Sequence, residues 1–159
     1  MPRSEALGDE YYIALASTAL GGIAFMKGDL DGAVELGVRG FLASHAMGDV
    51  ASVTLGLQAA AALMYVAGLP AEAATIEAAY EAHGRRYGVQ PPLDVDDWLG
   101  LGSVGEAIRA DMEREAFQEH VRLGPSMSTD GVIEFLVREA VPRFKARRRE
   151  AAAIPAPTP

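Results

Sequence analysis

The chain contains no cysteine among its 159 residues. A disulfide frame, a thiolate nucleophile and a cysteine-built zinc site are thereby excluded, and a reducing cytoplasm is the compartment that fits. Aromatic residues are scarce at 7%, although half of all residues are hydrophobic, and the apolar content is dominated by alanine and leucine, a composition that favours helices. Positive charge is short: 14 basic residues face 22 acidic ones, a net charge of −8, which argues against general affinity for nucleic acid or anionic lipid. The opening Met-Pro-Arg-Ser-Glu-Ala lacks the apolar core of a signal peptide, so export has no support. A chain of this length carries one well-buried core and forms a single domain.

What is present is a ruler of glycines. Gly8, Gly28, Gly48, Gly68 and Gly88 follow one another at intervals of 20, and the first three precede Asp9, Asp29 and Asp49. A glycine can take the left-handed conformation that ends one helix, and the next aspartate can accept amide hydrogen bonds at the start of another. Gly-Asp thus predicts a tight helix-to-helix turn. At Gly68-Leu69-Pro70 the same junction uses proline in the first helical turn, where its missing N–H costs nothing.

Between these markers the apolar spacing is helical, as in Ile13, Leu20, Ile23 and Ala24, and predicts four helices of about 16 to 18 residues. Features also recur at 40, pairing Gly8 with Gly48, Leu15 with Leu55 and Ala33 with Ala73. Helix pairs repeating at that length stack as a solenoid. The predicted fold is all-α: a lead-in over 1–8, two tetratricopeptide-like antiparallel helix pairs over 9–92, a C-terminal helical segment over 93–145 packing on them, and a disordered tail over 146–159. The stretch Val50–Ala71 has no charged residue in 22 positions, long enough to cross a bilayer. Ser52, Thr54, Gln58, Gly68 and Pro70 lower its hydrophobicity, and the preferred assignment is the inner helix of a stacked pair.

A resemblance supports this organisation. Gly28-Asp29-Leu30-x-x-Ala33, and Ala73-Ala74-x-Ile76-x-Ala78-Ala79-Tyr80-Glu81 running to Gly88-x-x-Pro91-Pro92, look like the C-terminal helical-repeat region of bacterial signal-transduction ATPases with a LuxR-type or SARP-type output domain, abundant in actinobacteria. Glu115-Ala116-Phe117, Gly124 and Met127-Ser128-x-Asp130 are similar to that family's closing segment. The resemblance implies a tetratricopeptide-like scaffold within a transcriptional regulator. It brings neither ATPase nor DNA-binding parts, since the chain has no G-x-x-x-x-G-K-(Ser/Thr) loop. With the repeat register carried over, the concave face displays Leu15, Thr18, Gly22, Phe25 and Met26, then Leu55, Gln58, Ala62, Tyr65 and Val66. That face is mostly apolar, and it either stands open to a partner or is filled by residues 94–140 folding back.

Several patterns point to chemistry and fall short of it. Gly100, Gly102 and Gly105 match G-x-G-x-x-G, but no strand is predicted before them and Gly124-Pro125-Ser126 stands where an acidic residue belongs. The glycines are assigned instead to loosening or bending a helix that starts near Asp96, or to a small-residue contact, and no cofactor is expected. Asp94, Asp96 and Asp97 read as caps of a helix carrying Trp98 rather than a Ca²⁺ loop, because an EF-hand register puts glycine at position seven and Gly105 at position twelve. His45, His83 and His120 lack partners at metal-ligand spacing and are assigned surface or cap roles. Ser17 and Ser44 sit in no nucleophile elbow.

The tail differs in kind. Arg143, Lys145, Arg147, Arg148 and Arg149 follow a body, residues 1–142, that carries 9 basic and 21 acidic groups, net −12. Pro142 is expected to kink or end the last regular helix. The function expected is a non-catalytic interaction or effector-sensing module, with a small helical enzyme using Glu72, Glu77 or Asp111, or a small-molecule binder with an apolar inter-helix pocket, as the alternative. Its expected partners are a protein or other domains of a longer regulator, a second copy of the chain, or a small apolar ligand. No membrane contact is expected, and nucleic acid only through the basic tail.

Overall fold

In a computed structural model, residues 2–89, 97, 100 and 102–153 are described, with side chains from Asp9 onward. They form an all-α stack with no strand among the described residues. The first four helices are α1 (Pro2–Met26), α2 (Leu30–Ala46), α3 (Val50–Val66) and α4 (Pro70–Tyr87). Then follow α5 (Val104–Asp111), α6 (Arg114–Ser126), α7 (Thr129–Phe135), a π turn over Leu136–Ala140, and α8 (Val141–Ala153).

Three of the five glycine markers are chain reversals, and a fourth, Gly88, ends α4. Gly28, Gly48, Gly68 and Gly88 have φ of 76°, 70°, 78° and 64°, a region that a side chain disfavours. At the first three, the glycine N–H bonds the carbonyl three residues back and the next N–H bonds the carbonyl five back, as in Asp29 to Ala24 at 2.9 Å. This satisfies carbonyls that the helix end would orphan. Asp29 then caps α2 by accepting from Gly32 N–H at 2.9 Å, and Asp49 caps α3 by accepting from Ser52 N–H at 3.1 Å. Leu69 offers no side-chain cap, and Pro70 opens α4.

The fifth marker is a correction. Gly8-Asp9 lies inside α1, which starts at Pro2, so 1–8 is not a separate lead-in beyond Met1. One glycine costs a helix only about 1 kcal/mol, less than breaking its hydrogen-bond ladder.

Consecutive helices pack antiparallel: α1 on α2, α2 on α3, α3 on α4. The long uncharged stretch is divided by the Gly68 turn; its helical part, α3, is buried along most of its length, with Leu57, Ala61, Ala62 and Met64 at 0–1% exposure. No helix among the described residues is long and apolar enough to cross a membrane. The chain then doubles back, α6 lying along α4 and α5 touching both α3 and α4. Gly124 makes the α4–α6 approach close, since a Cβ there would stand 2.5 Å from Thr75 O and Ala79 N.

The end of the chain departs from expectation twice. Pro142 does not end the helix; the π turn precedes it, with Val141 N–H bonded to Leu136 O five residues back. The wider turn absorbs the bond and the space that proline denies to a regular helix. Helix also persists to Ala153, where a disordered tail is expected from residue 146; residues 154–159 lie outside the described residues. Buried Phe144 anchors α8, and Arg143 and Arg148 tie it to Glu72 of α4 and Asp31 of α2.

Candidate functional site

Between α1 and α3, with α2 as its floor, lies a cavity of about 320 Å³. Its existence follows from side chains that are missing. Gly21 and Gly22 on α1, Gly37 on α2, and Gly56, Ala59 and Ala60 on α3 all face it. Two of the seams beside it are tight: a Cβ on Gly40 would meet Thr18 Oγ1 at 2.8 Å, and one on Gly56 would meet the Phe41 ring at 2.5 Å. Small residues let the helices approach at the seams while leaving the space between α1 and α3 unfilled. At Gly37 the nearest atom to an added Cβ is Leu63 Cδ1 at 4.0 Å, so this glycine borders open volume.

The lining is uncharged. Its hydroxyls come from Thr18, Ser44 and Ser52, and that of Ser52 is already committed to Asp49 Oδ2 at 2.6 Å. Leu136, the first residue of the π turn, and Val141, just after it, complete the wall. A volume near 300 Å³ with mostly apolar walls is the lower end of what small-molecule sites offer.

The expected concave face is divided by this geometry. Leu15, Thr18, Gly22 and Phe25 of α1, together with Leu55 of α3, line the cavity. Met26 and Val66 are exposed outside it, and Gln58 and Ala62 are buried. Tyr65 donates its hydroxyl to Asp111 Oδ2 of α5 at 2.7 Å, a bond whose acceptor carboxylate holds the phenol above its ordinary pKa. The reason is translational. The α1 face that looks toward α3 becomes, one repeat later, an α3 face that looks onward, where α5 stands against Tyr65. The α3 residues that face α1 are Ser52, Leu55, Gly56, Ala59, Ala60 and Leu63, of which adding 40 to the α1 positions finds Leu55 alone.

The other patterns resolve locally. Gly100 and Gly102 have φ of 69° and 66°, in turns rather than in a helix, and Gly105 stands in α5, whose cap Ser103 accepts from Glu106 N–H at 3.2 Å. Asp94, Asp96 and Trp98 lie outside the described residues. Among the described residues no three His, Cys, Asp or Glu side chains cluster as metal ligands would. Neither Glu72, Glu77 nor Asp111 lines the cavity.

His83 corrects its surface assignment: it is buried, with Nδ1 2.9 Å from Thr54 Oγ1. The Thr54 hydroxyl donates its proton to Val50 O at 2.7 Å, so the ring nitrogen supplies the N–H. The tie repeats one helix on, where His120 Nδ1 stands 3.0 Å from Thr75 Oγ1. His45 and His120 are both half-buried, His45 standing 3.0 Å from Asp130. Burial, and then the charge of Arg86, push the His83 pKa below its ordinary value. The unfolded chain therefore takes up a proton near pH 6.5 that the folded chain refuses, and this group's contribution to stability is complete above that pH and is lost as pH falls below it. Urea midpoints measured at pH 7.5 and 5.5 are expected to fall less in His83→Gln than in the unsubstituted chain; equal falls refute the assignment.

The basic run is likewise engaged inward. Arg143 pairs with Glu72 and Glu139, and Arg148 with Asp31 at 3.2 Å. The acidic body thus binds part of the charge that made the tail a candidate nucleic-acid contact. Compared with protein-family models, with curated proteins and with solved structures, the chain shows no match.

Proposed function

We propose that the chain is a non-catalytic helical-repeat sensing module whose α1–α3 cavity receives a small, uncharged, apolar effector. The observation that carries this is the cavity itself: about 320 Å³, without a charged side chain in its lining. A charged substrate would lose its hydration there with nothing to replace it, whereas an apolar one gains roughly 25 cal/mol for each Å² it buries. The resemblance to regulators' helical repeats supplies the setting, in which occupancy is passed to other domains of a transcriptional regulator.

Gly37→Leu tests the proposal cleanly. Its side chain enters open volume, and removing a helical glycine stabilises by up to about 1 kcal/mol. With the uncharged fluorophore N-phenyl-1-naphthylamine as probe, saturable binding is expected to weaken at least about tenfold, or about 1.4 kcal/mol, while the melting temperature holds or rises. Unchanged affinity in the filled variant, or no saturable binding by the unsubstituted chain, overturns the proposal.

A further inference from the structure

The two ends of the cavity differ in chemistry. The seams fix how the helices run past one another: Gly40 of α2 lies against Thr18 of α1, Gly56 of α3 against Phe41 of α2, and Gly37 of α2 borders Leu63 of α3. Moving along α2 toward its C-terminus therefore moves along α3 toward its N-terminus. The last turn of α2, with Ser44, stands beside the first turn of α3, with Ser52. Ser44 follows Gly37 and Phe41 at steps of four and three, on the stripe of α2 that floors the cavity. Away from that end the walls are Phe25, Ala33, Val34, Leu63 and Met64, without a hydroxyl, an amide or a charge.

Ser44 is the group that packing does not explain. It is 2% exposed, yet its hydroxyl has no hydrogen-bond partner among the described residues, where a buried hydroxyl ordinarily has one. Ser52 is committed on one side only: its proton goes to Asp49 Oδ2 at 2.6 Å, and its lone pairs stay available to accept. The third hydroxyl of the lining, on Thr18, belongs to an exposed residue. A donor at Ser44 and an acceptor at Ser52 are what a single alcohol group uses, accepting from the first and donating to the second.

We infer that the effector is a neutral alcohol, its hydrocarbon frame toward Leu63 and its hydroxyl at the Ser44–Ser52 end. This rests on the cavity being a binding site, as proposed above. A guest of hydrocarbon alone displaces water from the Ser44 hydroxyl and returns no bond, and a site that pairs with a ligand hydroxyl rejects the analogue lacking it. A carboxylate fares worse than an alcohol, because the lining holds no positive charge and Ser52 has only lone pairs to turn toward it.

Indane, 1-indanol and 1-indanone share one rigid frame and differ at a single carbon, so displacement of N-phenyl-1-naphthylamine by each separates the two bonds. Ser44→Ala is expected to weaken 1-indanol at least about fivefold and to leave indane unweakened, with the melting temperature held or raised because alanine is the better helix former. Ser52→Ala is expected to weaken 1-indanol and to spare 1-indanone, which has no proton to donate. Equal weakening of 1-indanol and indane by Ser44→Ala, unchanged 1-indanol in that variant, or equal weakening of 1-indanol and 1-indanone by Ser52→Ala each overturns the inference and leaves the cavity an apolar site. Absence of saturable N-phenyl-1-naphthylamine binding by the unsubstituted chain overturns the sensing function itself, and the alcohol with it.

Discussion

Phe144→Ala is expected to destabilise the fold by about 4 kcal/mol, the cost of emptying a fully buried aromatic site. Phe144 is 1% exposed and is the largest of the fully buried side chains; it is also the buried residue of α8. Its removal takes away the largest packing contact that holds α8 against the stack and leaves that helix to Val141, to the pair of Arg143 with buried Glu72, and to the exposed Arg148–Asp31 pair, the last worth at most about 1 kcal/mol. For a domain of this size the melting temperature is expected to fall by about 8–16 °C. Urea unfolding gives the free energy, and amide exchange gives the locality: protection is lost first over 141–153, while α3 amides around Leu57 and Met64 keep theirs. A loss below about 1 kcal/mol, or exchange rising evenly along the chain, contradicts the anchoring role.

The second large effect is expected at Gly124. An alanine Cβ there would stand 2.5 Å from backbone atoms on α4, Thr75 O and Ala79 N, and 2.8 Å from Ala78 C. Backbone cannot rotate aside as a side-chain tip can, so α6 must lift from α4, and overpacking of this kind costs about 3 kcal/mol. The lift also stretches the Thr75–His120 tie between the same two helices. Gly105→Ala is the control. Its added Cβ would lie 3.5 Å from Glu77 Oε1, an ordinary contact, and better helix propensity makes the change neutral or stabilising by up to about 1 kcal/mol. Comparable losses at positions 105 and 124 would remove close approach as the explanation.

What the sequence disclosed and what it concealed divide along the range of the forces involved. The turns at Gly28, Gly48, Gly68 and Gly88 are legible because everything that makes them is within five residues: a left-handed glycine, a capping aspartate, a proline at the first helical position. Gly8 shows the limit of that argument, since the same dipeptide stays inside α1. The all-helical stack follows from the turns. The cavity was half legible. The α1 positions Leu15, Thr18 and Phe25 line it, but the repeat translation carries a face's direction along with its residues, and so sends Gln58 and Tyr65 away from α1.

Contacts distant in sequence left no comparable trace. Nothing around Arg148 announces that Asp31, 117 residues earlier, is its partner, and nothing around Gly124 marks the α4 backbone as its neighbour. His83 looked like a helix-end residue because Gly88 ends α4 five positions later; its burial is decided by Thr54 on the preceding helix. The π turn was hidden for a different reason. Proline at 142 signals the loss of one regular hydrogen bond, and a break and a widened turn answer that loss equally well.

The two walls of the cavity are held very differently. α3 is sealed between α2 and α4, whereas α1 leans on α2 along a line of small residues where Gly21 and Gly40 meet the neighbouring backbone. One jaw is thus fixed and the other hinged. Elements secured on one side open at lower free energy than those packed on several, so α1 is the wall that tilts at least cost while Leu55, Ala59 and Leu63 keep their places. Under the proposed function, selection by shape would be exercised at the rigid jaw and tolerance of girth would reside in the hinge.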